Sequence, residues 1–198
     1  MSKPLAITAA AAVVVGLGAA GAFVFLGPER QCSGSAIAGG TAAIGGPFTL
    51  VDHTGQTVTD KDVLDGPSLV YFGFTYCPDV CPIDAARNAE AVDILKERGL
   101  DVTPVFISID PNRDTPEVVA EYVDIMHPDM IGLTGTPEQV DAASQAYKTY
   151  YRKNGDGEDY LMDHSTFTYL MGADGFIDFF RRDIEADAMA DRVACHIG

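Results

Sequence analysis

The chain has 198 residues, 47% of them hydrophobic, which suits one domain with a sizeable core plus an additional segment at one end. Its formal net charge of -16 excludes a nucleic-acid role, because there is no Lys/Arg cluster to follow a phosphate backbone. An acidic head of this kind tolerates or attracts a basic protein surface or a cation.

Residues 5–27, LAITAAAAVVVGLGAAGAFVFLG, carry no charge and are long enough to cross a bilayer, which needs about 20 apolar residues. Lys3 precedes the run and Glu29 and Arg30 follow it, so the charge bias places the N-terminus in the cytoplasm and the rest of the chain outside. Cleavage as a signal peptide near Gly18–Gly21 would leave AFVFLG exposed, and the run exceeds a usual signal core. We therefore expect a single transmembrane anchor over 1–27. The Gly, Ala and Ser-rich stretch that follows has no periodicity and reads as a flexible tether, 28–43, ahead of a folded domain, 44–198. Cys32 reads as an incidental thiol within that tether.

FTLVDHTGQTVT (48–59) predicts a hairpin turned at Thr54-Gly55, followed by a loop through DVLDGP. SLVYFGF (68–74) is a buried strand that empties into Cys77 and Cys81. Apolar residues Ala86, Ala89, Val92 and Leu95 then recur at helical spacing up to Gly99, with Pro82 suited to the helix start. VTPVFISID (102–110) is a second buried strand. Helices open at Pro116 and Pro137, the latter with Thr136 and Gln139 as a capping box. The polar stretch 150–163 predicts a loop. Strands TFTYLMG and GFIDFF flank a turn at Ala173-Asp174-Gly175, and a helix covers roughly 183–195. This order is α/β and thioredoxin-like, with an added N-terminal β-hairpin and an inserted helix.

Cys77 and Cys81 lie near a helix N-terminus, where the macrodipole and free N–H groups favour thiolate. Three residues separate them, one more than in the familiar dithiol oxidoreductase motif, so a disulfide staple, a redox pair and a metal site all stay open. Where such oxidoreductases place a cis proline facing the thiols, this chain has DHSTFTYL, and His164 is the residue available. Two thiolates and one imidazole suit Cu(I). Asp163 is either a fourth ligand or a loop carboxylate, and Met162 either a weak thioether ligand or packing. His53 and His127 read as solvent or capping residues. Cys195-His196 is a pair able to bind metal but reads as a frayed tail or a small buried hydrophobe beside a histidine, and a disulfide from Cys195 to Cys32 stays open because the tether is flexible. A peroxidatic cysteine would need threonine three residues earlier and proline four before that. Phe74 and Val70 stand there.

Three motifs in order, YFGFTYCPDVCP (71–82), ISIDPNRDTPE (107–117) and MDHSTFTYLMGADG (162–175), resemble the Sco/SenC family of membrane-anchored copper proteins. The resemblance implies a thioredoxin fold holding one copper ion, Cu(I) or Cu(II), with Cys77, Cys81 and His164 as ligands. It implies a metallochaperone that assists assembly of the binuclear copper centre in cytochrome c oxidase subunit II. The alternative it carries is a thiol-disulfide oxidoreductase that reduces that subunit's cysteines through Cys77 and Cys81, so enzymatic status stays open. The implied setting is a bacterial inner membrane with the domain in the periplasm, where a copper donor or thiol reductant would be a further partner. Asp79, Asp110, Arg113 and Asp114 fall in the motifs and read as loop supports.

Overall fold

The computed structural model describes Cys32 and residues 44–198. The expected anchor and the tether apart from Cys32 lie outside the described residues, among which no helix is long and apolar enough to cross a membrane.

The predicted hairpin forms from β1 (Thr49–Asp52) and β2 (Thr57–Thr59), antiparallel around a turn. Asp52 Oδ1 builds that turn by accepting from the N–H groups of Thr54 at 2.8 Å and Gln56 at 2.9 Å. The stretch expected as a loop begins instead with a one-turn helix, α1 (Asp60–Val63), capped reciprocally by Thr59 and Asp62. There follow β3 (Ser68–Gly73), α2 (Val80–Glu97), β4 (Thr103–Ser108), α3 (Pro116–Met126), β5 (Ile131–Thr134) and α4 (Pro137–Ala146). The chain closes with β6 (Tyr151–Asn154), β7 (Leu161–His164), β8 (Thr168–Gly172), β9 (Gly175–Phe180) and α5 (Ala186–Ile197).

Local chemistry sets the helix ends. Thr115 caps α3 with Pro116 behind it, and Thr136 and Gln139 form the expected box on α4. Beyond α2, Gly99 takes φ +77°, a left-handed conformation that glycine adopts without steric cost.

Seven strands form one sheet in the order β2-β1-β5-β4-β3-β8-β9. β3 runs parallel to β4, and β4 to β5; the remaining pairs are antiparallel. The run β4-β3-β8-β9 at one side of the sheet, with α2 and α5, is the thioredoxin-like core. On one face Val70 and Phe72 pack with Val140 of α4, Tyr147 and Tyr169. On the other, Leu69, Leu170 and Phe180 pack with Val92 and Leu95 of α2 and Met189 and Val193 of α5. Burial of each such side chain is worth roughly 1.5–3 kcal/mol. Coverage on both faces explains why every residue of β3 is buried and why it reads as a continuous apolar run.

Two further stretches differ from expectation. β5 was not anticipated: it has four residues with Gly132 among them, too short a run to show a period. The glycine has a packing cause, since a Cβ there would sit 2.4 Å from Val119 and 2.8 Å from Val123. The segment 150–163, expected as a loop, is a two-stranded ribbon in which β6 and β7 pair Tyr151 with His164 and Asn154 with Leu161. Its exposed polar strands bury no continuous face, so neither strand period survives in the sequence.

Candidate metal centre

β3 carries the chain to the sheet end, and Phe74 to Asp79 turn it into α2. That helix starts at Val80, two residues before the expected Pro82. Pro82 is tolerated because the first N–H groups of a helix have no intrahelical acceptor. Cys77 therefore sits on the turn and Cys81 in the first helical turn, both with free thiols. The backbone N–H of Cys81 donates to Cys77 Sγ at 3.3 Å.

The ribbon supplies the third group. His164, the last residue of β7, places Nε2 3.3 Å from Cys81 Sγ. Its Nδ1 lies 2.8 Å from the Ser165 carbonyl oxygen, which can only accept, so Nδ1 carries a proton and Nε2 turns to the thiols. The ring packs edge-on against Phe74 and Tyr71, with centroids 5.9 Å and 6.3 Å away. Gly73 makes room for this convergence: a Cβ there would meet Tyr71 at 2.9 Å, Phe106 at 3.0 Å and Cys81 Sγ at 3.3 Å.

The two thiols are not equivalent. Cys77 is pulled down to about 4, chiefly by the hydrogen bond from the Cys81 thiol, with His164 and the N–H groups of Asp79 and Cys81 adding to it against burial. Cys81 is pushed well above the usual thiol range by the same interaction with Cys77 and by burial. Cys77 is thus the thiolate, at 9% exposure, and Cys81 the fully enclosed proton holder. Below them the Tyr71 hydroxyl donates to Asp84 at 3.2 Å, and Asp84 pairs with Arg87 at 3.0 Å. Burial pushes the Asp84 carboxyl up, while Arg87 pulls it down.

Both Asp163 oxygens are engaged across the ribbon by Arg152 and Asn154, each at 3.0 Å, and Met162 packs against the core. His53 accepts from the Gly132 N–H, His127 lies 3.3 Å from Asp93, and His196 lies 3.3 Å from Asp178, which also binds Arg192. Cys32 and Cys195, read chiefly as an incidental thiol and a frayed or buried one with a disulfide left open, are both disulfide-bonded. Tyr71, Phe74 and Gly73 were legible only as strand residues, because nothing in one sequence tells a strand-end aromatic from core.

The pattern of a thioredoxin-like sheet with two thiols and an imidazole at one strand end has close relatives. The SCO1/SenC family model matches residues 37–198. The chain belongs to the SCO1/SenC family. It is 57% identical to Protein SenC of Rhodobacter capsulatus over 206 aligned positions, 99% of this chain and 91% of that one. It is 45% identical to the mitochondrial SCO1 homolog of Homo sapiens over 80% of its own length, spanning 54% of that protein. Among solved structures, copper-bound ScoI of Arabidopsis thaliana superposes with a TM-score of 0.75 at 44% identity, covering 78% of this chain and 98% of that one. Copper-bound yeast Sco1 gives 0.73 at 38%, covering 78% and 88%.

Proposed function

We propose that this SCO1/SenC protein is a copper metallochaperone that binds one copper ion through Cys77, Cys81 and His164. Its cargo would serve the binuclear copper centre of cytochrome c oxidase subunit II. The observation that carries the reading is the 3.3 Å approach of His164 Nε2 to Cys81 Sγ across 83 positions of chain. The donor chemistry fits. Two sulfurs and a nitrogen suit Cu(I), and the proton on Nδ1 is held by a carbonyl, as second partners of metal-binding histidines usually are. Loading requires Cys81 to give up its proton, so binding weakens as pH falls. Copper bound to the Arabidopsis and yeast relatives supports the same cargo here. The apolar run 5–27 would anchor the domain 44–198 to the inner membrane, facing the periplasm.

X-ray absorption of the Cu(I) form should report two sulfurs and one nitrogen. The same nitrogen signal in a His164→Ala variant would sink the ligand assignment.

A second reading is favoured by the depressed Cys77 thiol. Its thiolate would attack a partner disulfide, forming a mixed disulfide and expelling one partner thiolate. Cys81, once deprotonated, would then attack the Cys77 sulfur, releasing the second partner thiol and leaving Cys77–Cys81 oxidised. Copper-free reduction of a disulfide in subunit II by His164→Ala at the wild-type rate would favour this route over delivery.

A further inference from the structure

The segment that leaves β4, residues 108–114, touches the chain next to both halves of the donor set. On the thiol side, buried Asp114 accepts from the Thr75 N–H at 3.0 Å and the Thr75 hydroxyl at 2.6 Å. Next to it the Arg113 guanidinium lies 4.7 Å from the ring centre of Tyr76, the residue before Cys77. On the imidazole side the same guanidinium lies 3.6 Å from the ring centre of Tyr160, and its Nη1 donates to the Glu158 carbonyl at 3.1 Å. Tyr160 immediately precedes β7, the strand that ends in His164. Asp110 locks the arrangement: its buried carboxylate accepts from Arg113 Nε at 2.6 Å and from the Tyr160 hydroxyl at 2.5 Å.

We propose that Arg113 is a positioning residue: stacked between Tyr76 and Tyr160, it keeps the cysteine turn and the His164 ribbon in register so that the three donors meet. The proposal rests on the donor set assigned above. The ribbon is not part of the seven-stranded sheet, and a two-stranded unit has little stability of its own. Its position therefore depends on side-chain contacts, and the Arg113 stack is the one that also reaches the residue next to Cys77. A planar guanidinium can face two rings while its edge binds a carboxylate; an ammonium cannot do both. The sequence shows Arg113 only as one charge in a polar loop, because the two tyrosines that sandwich it lie 37 and 47 positions away.

The test uses the full chain in detergent, comparing wild type with Arg113→Met and Arg113→Lys. In the copper-free protein, amide exchange over 151–164 should speed up in both variants. Cu(I) release to a chelator should rise roughly tenfold or more, the usual effect of losing an outer partner of a metal site. A folded Arg113→Met variant with wild-type exchange and release overturns the proposal. Should that variant fail to fold, Arg113→Lys decides, since it keeps the charge opposite Asp110: wild-type behaviour would mean that charge alone matters and the stack positions nothing. Failure of the donor-set reading is separate, because it shows as a wild-type Cu(I) form without a nitrogen ligand. The copper-free exchange measurement stands in either case.

Discussion

His164 Nε2 and Cys81 Sγ lie 3.3 Å apart, joined by a ribbon end and a helix start that share no backbone ladder. The imidazole therefore does two jobs, filling an aromatic niche and offering a nitrogen. A His164→Phe variant keeps the first and loses the second. Edge-to-face contacts with Phe74 and Tyr71, worth about 0.5–1.5 kcal/mol each, should survive, so unfolding stability stays within about 1 kcal/mol of wild type. Cu(I) affinity should fall by more than the roughly 10–100-fold typical of an outer-partner loss. Chemical denaturation and chelator competition measure the two effects, and equal losses in both would assign His164 a packing role only.

The asymmetry of the thiols gives a pH profile. In the reduced, copper-free protein Cys77 is lowered to about 4 and Cys81 raised. Thiolate is the reacting form, so alkylation by iodoacetamide should mark Cys77 first, at a rate nearly flat from neutral pH down to about 5 and falling near 4. Cys81 should resist throughout. Mapping the modified residue by mass spectrometry checks the order, and a rate that climbs tenfold per pH unit up to 8 would refute the lowered thiol.

How much of this was readable in advance follows from where the information sits. The thioredoxin-like order came from runs long enough to carry a period, such as β3 and α2, and from caps such as Thr136 with Gln139. The donor residues Cys77, Cys81 and His164 were legible as residue types next to strands. Their convergence was legible only through the thioredoxin-like order and the family resemblance, which set His164 facing the thiols; the 83 positions between helix and ribbon carry no local sign of it. β5 escaped because Gly132 is there to let α3 approach, a tertiary demand that weakens the local strand signal. The ribbon escaped because its partners are polar, and the Arg113 stack because each of its members looks like an ordinary exposed side chain.

Gly73 makes a sharper prediction than any of the three donor residues. A methyl group there would sit 2.9 Å from Tyr71, 3.0 Å from Phe106 and 3.3 Å from Cys81 Sγ, all buried and unable to swing away. Gly73→Ala should cost roughly 1–3 kcal/mol in overpacking and displace Cys81 from His164. Urea unfolding should show the loss, and the Cu(I) form should release metal faster. An unchanged midpoint together with unchanged release would mean that β3 shifts freely, contrary to its pairing on both edges with β4 and β8.

Asp114 links the fold to the site through Thr75, and its charge has a predictable cost. Its carboxylate accepts from the Ser108 hydroxyl at 2.6 Å as well as from Thr75. Burial nonetheless raises the carboxyl, helped by the nearby charge of Asp110, while the hydrogen bonds from Ser108 and Thr75 pull the other way. A raised folded value means the contribution of this group is fully present below its ordinary value near 4 and is lost as pH rises through the raised value. Asp114→Asn puts an amide N–H₂ in place of an acceptor facing three donors, so the variant should be less stable by about 1–3 kcal/mol. The difference from wild type should be largest near pH 4 and smaller at pH 7, because only the wild-type carboxyl pays for ionising in a buried site. Urea unfolding of both proteins at the two pH values tests this; a gap that widens toward neutral pH would show that the hydrogen bonds from Thr75 and Ser108 outweigh burial and that the carboxyl is lowered instead.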